Sequence, residues 1–219
     1  MKTAILFLTV CLATEIHACD KTYDFQVGPF FSTSSILRYW QDFALEVGKK
    51  TGCKIQLVTT TSYEQYLETI LNKEHHIYIA PDHFIKAFIQ LGYKPILMTD
   101  KTAQIYLVSK HNLKQNDLSD LEGDEILVPS IYTRAYLELD KWLNEKGLNN
   151  KVTFDFNHSH DSAALIMLKG KKSTTVMLSA IYRALPETIK TKHSAIVISA
   201  KAGAYLHIRP DLPKEIIAA

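Results

Sequence analysis

Hydroxyl groups, aromatic rings and short Ser/Thr/Asp clusters recur in this 219-residue chain where its apolar runs end. In the first half they are Phe30, Phe31, Ser32 and Thr33; then Thr61, Ser62 and Tyr63; then Pro81, Asp82, His83 and Phe84. The second half supplies Ser130, Tyr132 and Thr133, then His158, His160, Asp161 and Ser162, and then Ser179. Lys and Arg are scarce among them. Hydroxyls beside free helix-start amides suit the capture of an oxyanion, while the same Ser, Thr and Asp also serve as ordinary helix N-caps. For any single residue the capping role suffices. The concentration of such groups in both halves points to a ligand site.

Signatures of catalysis are missing. The chain has no Gly-x-Ser-x-Gly elbow, no phosphate-binding Gly-rich loop, no Gly-x-Gly-x-x-Gly and no His-Glu-x-x-His. No enzyme activity and no cofactor are expected. Cys53, in a Thr-Gly-Cys-Lys-Ile segment, reads as a small buried hydrophobe rather than a nucleophile. Nine histidines leave a metal-binding protein as one alternative, with His75-His76 and His158-Ser-His160 as imidazole sources, but their spacing does not bring together three or four ligands. The site residues are therefore expected without a metal.

The elements that must position these groups alternate. Strands are predicted over 23–28, 54–60, 77–80, 94–99 and 104–109, and again over 125–128, 152–156, 174–178 and 194–199. Helices are predicted over 36–50, 62–73, 83–91, 133–146, 160–168 and 180–190, the first carrying Leu37, Trp40, Phe43, Ala44 and Val47 on one stripe. The polar stretch 110–120 shows no regular element. Strand–helix alternation predicts an α/β fold of two lobes, each a mostly parallel sheet covered on both faces, with the ligand cleft between them. The expected lobes are 22–105, completed by about 193–219, and 106–192.

Composition narrows the class. With 47% hydrophobic and 22% charged residues the chain is globular, and a net charge of +2 gives no reason to expect nucleic acid as a partner. Residues 1–18 read as a secretory signal: one Lys, a ten-residue apolar core and Ala18 before a cleavage point. Ile16-His-Ala-Cys19 resembles a bacterial lipobox, which makes Cys19 a candidate lipid anchor and the only expected link to a membrane. Plain cleavage would instead leave Cys19 free or paired with Cys53.

Several motifs together carry a family resemblance. They are Val27-Gly-Pro29, Ser62-Tyr63, Pro81-Asp-His-Phe84 with Ala87, Asp117-Leu-Ser-Asp-Leu-Glu-Gly123, and His160-Asp161-Ser-Ala-Ala with Gly170. The chain resembles the phosphonate/phosphite/phosphate-type periplasmic solute-binding proteins of ABC transporters, a branch of the type 2 periplasmic-binding-protein fold. The likeness runs from about Phe25 to Glu215. Where the family usually shows Ser-Thr-Ser-Gly, this chain reads Ser130-Ile-Tyr-Thr133-Arg, and Phe84 stands where a tyrosine is expected. The resemblance implies a small anionic solute held between hinged lobes, an ABC permease as partner, and export to the periplasm or the outer face of the inner membrane. It implies ligand contacts at Tyr63, Ser130, Thr133, His160 and Asp161, with His160 as a donor. Tyr63 or Tyr132 is expected to cover one face, and Ser32, Thr33 and His83 lie at equivalent strand ends. An orphan sensor or partner-binding lipoprotein with the same fold is the alternative.

Overall fold

The computed structural model describes Cys19 and residues 21–99, 103–114, 117–156 and 159–219. The expected signal peptide and His158 lie outside the described residues. Among the described residues, ten strands form two five-stranded sheets. The first has the order β2-β1-β3-β10-β4, from β1 (Thr22–Val27), β2 (Lys54–Thr59), β3 (Ile77–Pro81), β4 (Lys94–Met98) and β10 (Ala204–Ile208). The second has the order β7-β6-β8-β5-β9, from β5 (Ala103–Ser109), β6 (Glu125–Leu127), β7 (Thr153–Asp155), β8 (Thr174–Leu178) and β9 (Ser194–Ala202).

Each sheet combines parallel pairs with antiparallel ones. β1 runs parallel to β2 and β3, and β6 runs parallel to β7 and β8. In contrast, β10 is antiparallel to β3 and β4, and β5 to β8 and β9. Crossover helices cover the faces: α1 (Thr33–Thr51), α2 (Tyr63–Leu71) and α3 (Ile85–Gln90) in the first lobe, α4 (Arg134–Glu145) and α5 (His160–Leu168) in the second. Because both faces are covered, central strands are buried on both sides, as at Ile77 to Ala80 of β3. One core packs Phe25, Val27, Ile36 and Ile79 against β10, and another packs Ile105, Ile126, Leu139 and Val176 under α4.

Three local expectations change. The helix expected over 83–91 begins as a 3-10 turn, Asp82–Phe84, before α3. The helix expected over 180–190 is two pieces, α6 (Ser179–Ala184) and α7 (Glu187–Lys190), because Pro186 has no N–H to continue α6 and forces Leu185 into an extended conformation. The stretch expected to return to the first lobe from about 193 does so only at β10 and α8 (Lys214–Ala218). β9 pairs with β5 in the second sheet, and Ile196 is buried there.

The lobes are linked by a two-stranded ribbon. Ala103 pairs with Ala202 on the second-lobe side, and Met98 pairs with Tyr205 on the first-lobe side. Between them, the Thr99 amide donates to the Ala204 carbonyl and the Asp82 amide to the Gly203 carbonyl, both at 3.0 Å.

Cys19 is joined to Cys53 by a disulfide, with Cα atoms 4.5 Å apart. The sulfur that the sequence offers as a lipid attachment point is therefore consumed, because acylation needs a free thiol. The Cys19 amide also donates to the Gly52 carbonyl at 3.2 Å, so the start of the described chain is fastened to the turn before β2.

Candidate functional site

Residues beyond the strand ends of both lobes enclose a cavity of about 230 Å³. The first turn of α4 forms its polar end. Thr133 caps this helix, its hydroxyl accepting from the Tyr136 amide at 3.2 Å and its carbonyl from the Leu137 amide at 3.1 Å. That leaves the Arg134 and Ala135 amides without intrahelical partners at a wall of the cavity, where the positive end of the helix dipole favours an anion. Arg134 lines the same wall, with its Nε 2.9 Å from the Glu138 carboxylate one turn along.

Tyr63 enters from the first lobe, at the start of α2. Ser62 caps that helix by accepting from the Gln65 amide at 3.2 Å, which fixes where Tyr63 stands. Burial pushes the Tyr63 hydroxyl well above its ordinary range, so it is a neutral donor. His160 closes the floor from α5. Burial pulls its imidazole down to about 4, against the opposing effects of Asp161 and a bond to the Val176 carbonyl. Nδ1 is buried without a hydrogen-bond partner among the described residues, and a neutral imidazole offers one N–H donor and one acceptor nitrogen. With so low a titration point, His160 itself should add no pH dependence to ligand affinity between pH 5 and pH 8.

A second cavity of about 330 Å³ meets the first at Phe31 and Tyr63, and hydroxyls dominate its wall. Ser32, Thr33, Ser62 and Ser130 all lie there. Of the other expected site residues, Tyr132 lines neither cavity; its carbonyl accepts from His83 Nε2 at 2.8 Å, a contact between the lobes.

Asp161 also points elsewhere than the sequence suggests. Its carboxylate accepts from the Ser32 amide at 2.8 Å, the Ser32 hydroxyl at 2.6 Å and the Ser35 hydroxyl at 2.9 Å. Burial raises this carboxyl, but hydrogen bonds from Ser159, Ser32 and Ser35 outweigh it and hold the group at about 2. The α1 N-cap, Ser32, makes no side-chain cap bond to its own helix; its amide and hydroxyl donate instead to the other lobe's carboxylate. The His160 amide adds a bond to the Phe30 carbonyl at 3.1 Å. Asp161 is thus a latch between lobes. Asp161→Asn should weaken lobe closure by about 2 kcal/mol after solvent screening, roughly a 30-fold change in the closed-to-open ratio. X-ray scattering of the ligand-free variant should then give a larger radius of gyration, and an unchanged profile would show that the latch does not hold the lobes.

Sequence reasoning missed Arg134, which directly follows the cap it had identified, and Trp40, which it placed only on the α1 stripe and which lines the cavity with Phe30 and Phe31. Among the described residues, no group of three or more His, Cys, Asp or Glu side chains could hold a metal ion. Among them, too, no helix is long and apolar enough to cross a membrane.

Two α/β lobes joined by a double crossing, with a cavity between their strand ends, define a solute-binding protein of the type 2 periplasmic class. The chain belongs to the family described as ABC transporter, phosphonate, periplasmic substrate-binding protein, whose model matches residues 25–219. It is accordingly a substrate-binding component of an ABC transporter and not an enzyme. Among solved structures it is similar to PhnD1 from Prochlorococcus marinus in complex with methylphosphonate, at 14% identity and a TM-score of 0.77, covering 90% of this chain and 83% of that one. It is also similar to a binding protein component of an ABC phosphonate transporter from Pseudomonas aeruginosa, at 12% identity and a TM-score of 0.67, covering 89% and 70%. At such identities these likenesses speak for the fold. No curated protein matches the chain.

Proposed function

We propose that the protein captures a small oxyanion of the phosphonate type outside the cytoplasm and delivers it to an ABC permease. One observation carries this reading: the first turn of α4, whose Arg134 and Ala135 amides lie outside the intrahelical ladder, lines a cavity between the lobes. A tetrahedral oxyanion there would accept from these two amides, the Tyr63 hydroxyl and the Arg134 guanidinium. The helix dipole and a site shielded from water strengthen each bond. The methylphosphonate held by the Prochlorococcus relative supports the phosphonate class.

Thermal stability of the exported chain, measured against phosphonates, phosphite, phosphate, sulfate, carboxylates and divalent metals, tests this reading. A ligand at ~100 times its dissociation constant should stabilise the fold by roughly 2.7 kcal/mol. The shift is expected with a phosphonate and is expected to shrink in Arg134→Met. A shift with metals alone would overturn the proposal.

A further inference from the structure

We infer that the captured solute is an organic oxyanion bearing a ring-sized apolar substituent; this rests on the oxyanion reading of the cleft. The cavity is built for more than a head group. Its polar groups gather at the α4 end and at Tyr63, while Phe30, Phe31, Trp40, Ile79 and Leu178 form the remaining wall. Ala202 and Ala204 leave that chamber hollow where larger residues would fill it. About 150 Å³ suffices to hold a benzene ring in an apolar protein cavity. At about 230 Å³, this one takes a ring together with an oxyanion.

The apolar wall is fixed rather than adaptable. Phe30 packs against Tyr63 and Tyr66 with ring centroids 6.1 and 6.2 Å away. Its position requires glycine at 28, because a Cβ there would stand 2.6 Å from the Phe30 ring. Trp40 is held edge-on by Phe25 at 5.7 Å and Phe43 at 6.1 Å. Side chains locked this way cannot turn polar atoms towards a small hydrophilic ligand, so phosphate or methylphosphonate would leave much of the wall without a partner.

Calorimetric titration of the wild-type protein with phenylphosphonate, methylphosphonate, 2-aminoethylphosphonate and inorganic phosphate decides the matter. Phenylphosphonate should bind at least about 10-fold more tightly than methylphosphonate, from the extra apolar surface buried. 2-Aminoethylphosphonate, which has no ring to bury, should also bind more weakly than phenylphosphonate. Ala204→Leu, which fills the chamber, should weaken phenylphosphonate more than methylphosphonate, and a phenyl preference that survives it would overturn the inference. Equal or tighter binding of methylphosphonate or phosphate would overturn this inference and leave the oxyanion reading standing. Tighter binding of the aminophosphonate would do the same. Silence towards all three phosphonates would overturn both.

Discussion

Lowering the pH from 7.5 to 4.5 should cost this protein about 5 kcal/mol of folding stability through two buried histidines. His160 and His207 are almost fully buried, and burial holds both imidazoles at about 4. An unfolded histidine titrates near 6.5. Above that value neither state is charged and nothing is lost. Between 6.5 and 4 the unfolded chain takes up protons that the native chain refuses, so stability falls as the pH falls, by up to about 1.4 kcal/mol per pH unit for each ring. A domain is commonly stable by only about 5–15 kcal/mol, so the loss is large enough to bring it to the edge of unfolding.

The two rings differ in a way that allows the effect to be divided. Both nitrogens of His207 are buried without partners, and its ring stacks on Phe88 with centroids 4.0 Å apart. His207→Phe keeps the stack and removes two unsatisfied polar atoms. It should therefore leave stability at pH 7.5 undiminished and recover about half of the acid loss. Denaturant unfolding at pH 7.5, 6 and 4.5 measures this directly. A variant whose stability falls as steeply with acid as the wild type would show that His207 is not protonated on unfolding.

Removing the disulfide should have an effect of similar size. Cys19 and Cys53 are 34 residues apart, and cross-linking a loop of that length removes about 3–4 kcal/mol of denatured-state entropy. Cys53→Ser should lower the melting temperature by about 10 °C. Reducing agent should lower that of the wild type equally and leave the variant unmoved. The same bond governs Cys19: metabolic labelling with a fatty acid should give no labelled protein. Incorporated lipid, or a reactive thiol at Cys53 in the exported chain, would contradict the pairing.

Much of this architecture was legible because it is written locally. Thr133 before an apolar run of helical period marks the start of α4, and Ser62 does so for α2; both make the capping bonds that such residues favour. The continuous apolar stretch of β3 reads as a buried strand, and it is one. What escaped is set by distance or by competition between signals. Asp161 at a helix start looks like a ligand contact or a cap, and its partner Ser32 is 129 residues away. No local pattern could pair them. Arg134 was overlooked because a cation in the first turn opposes the helix dipole, so the search for donors went to hydroxyls. The edge position of β9 follows from pairing with β5, which no periodicity within 194–202 specifies. Pro186 was an available signal, and the apolar pattern across it was wrongly given precedence.

The ribbon between the lobes has a mechanical consequence. Its two crossings are bonded to each other through Thr99 and Ala204, and the second is tied to Asp82 at Gly203, so neither can swing alone. Two tethers that move as one leave the lobes a single axis of rotation, with little sideways slip or independent twist. The molecule then behaves as a clasp with one coordinate. The Asp161 latch joins the start of α5 to the start of α1 and so fastens the lobes a second time, independently of the crossings. Capture and release are thereby reduced to one angular variable, which any partner that grips both lobes can read.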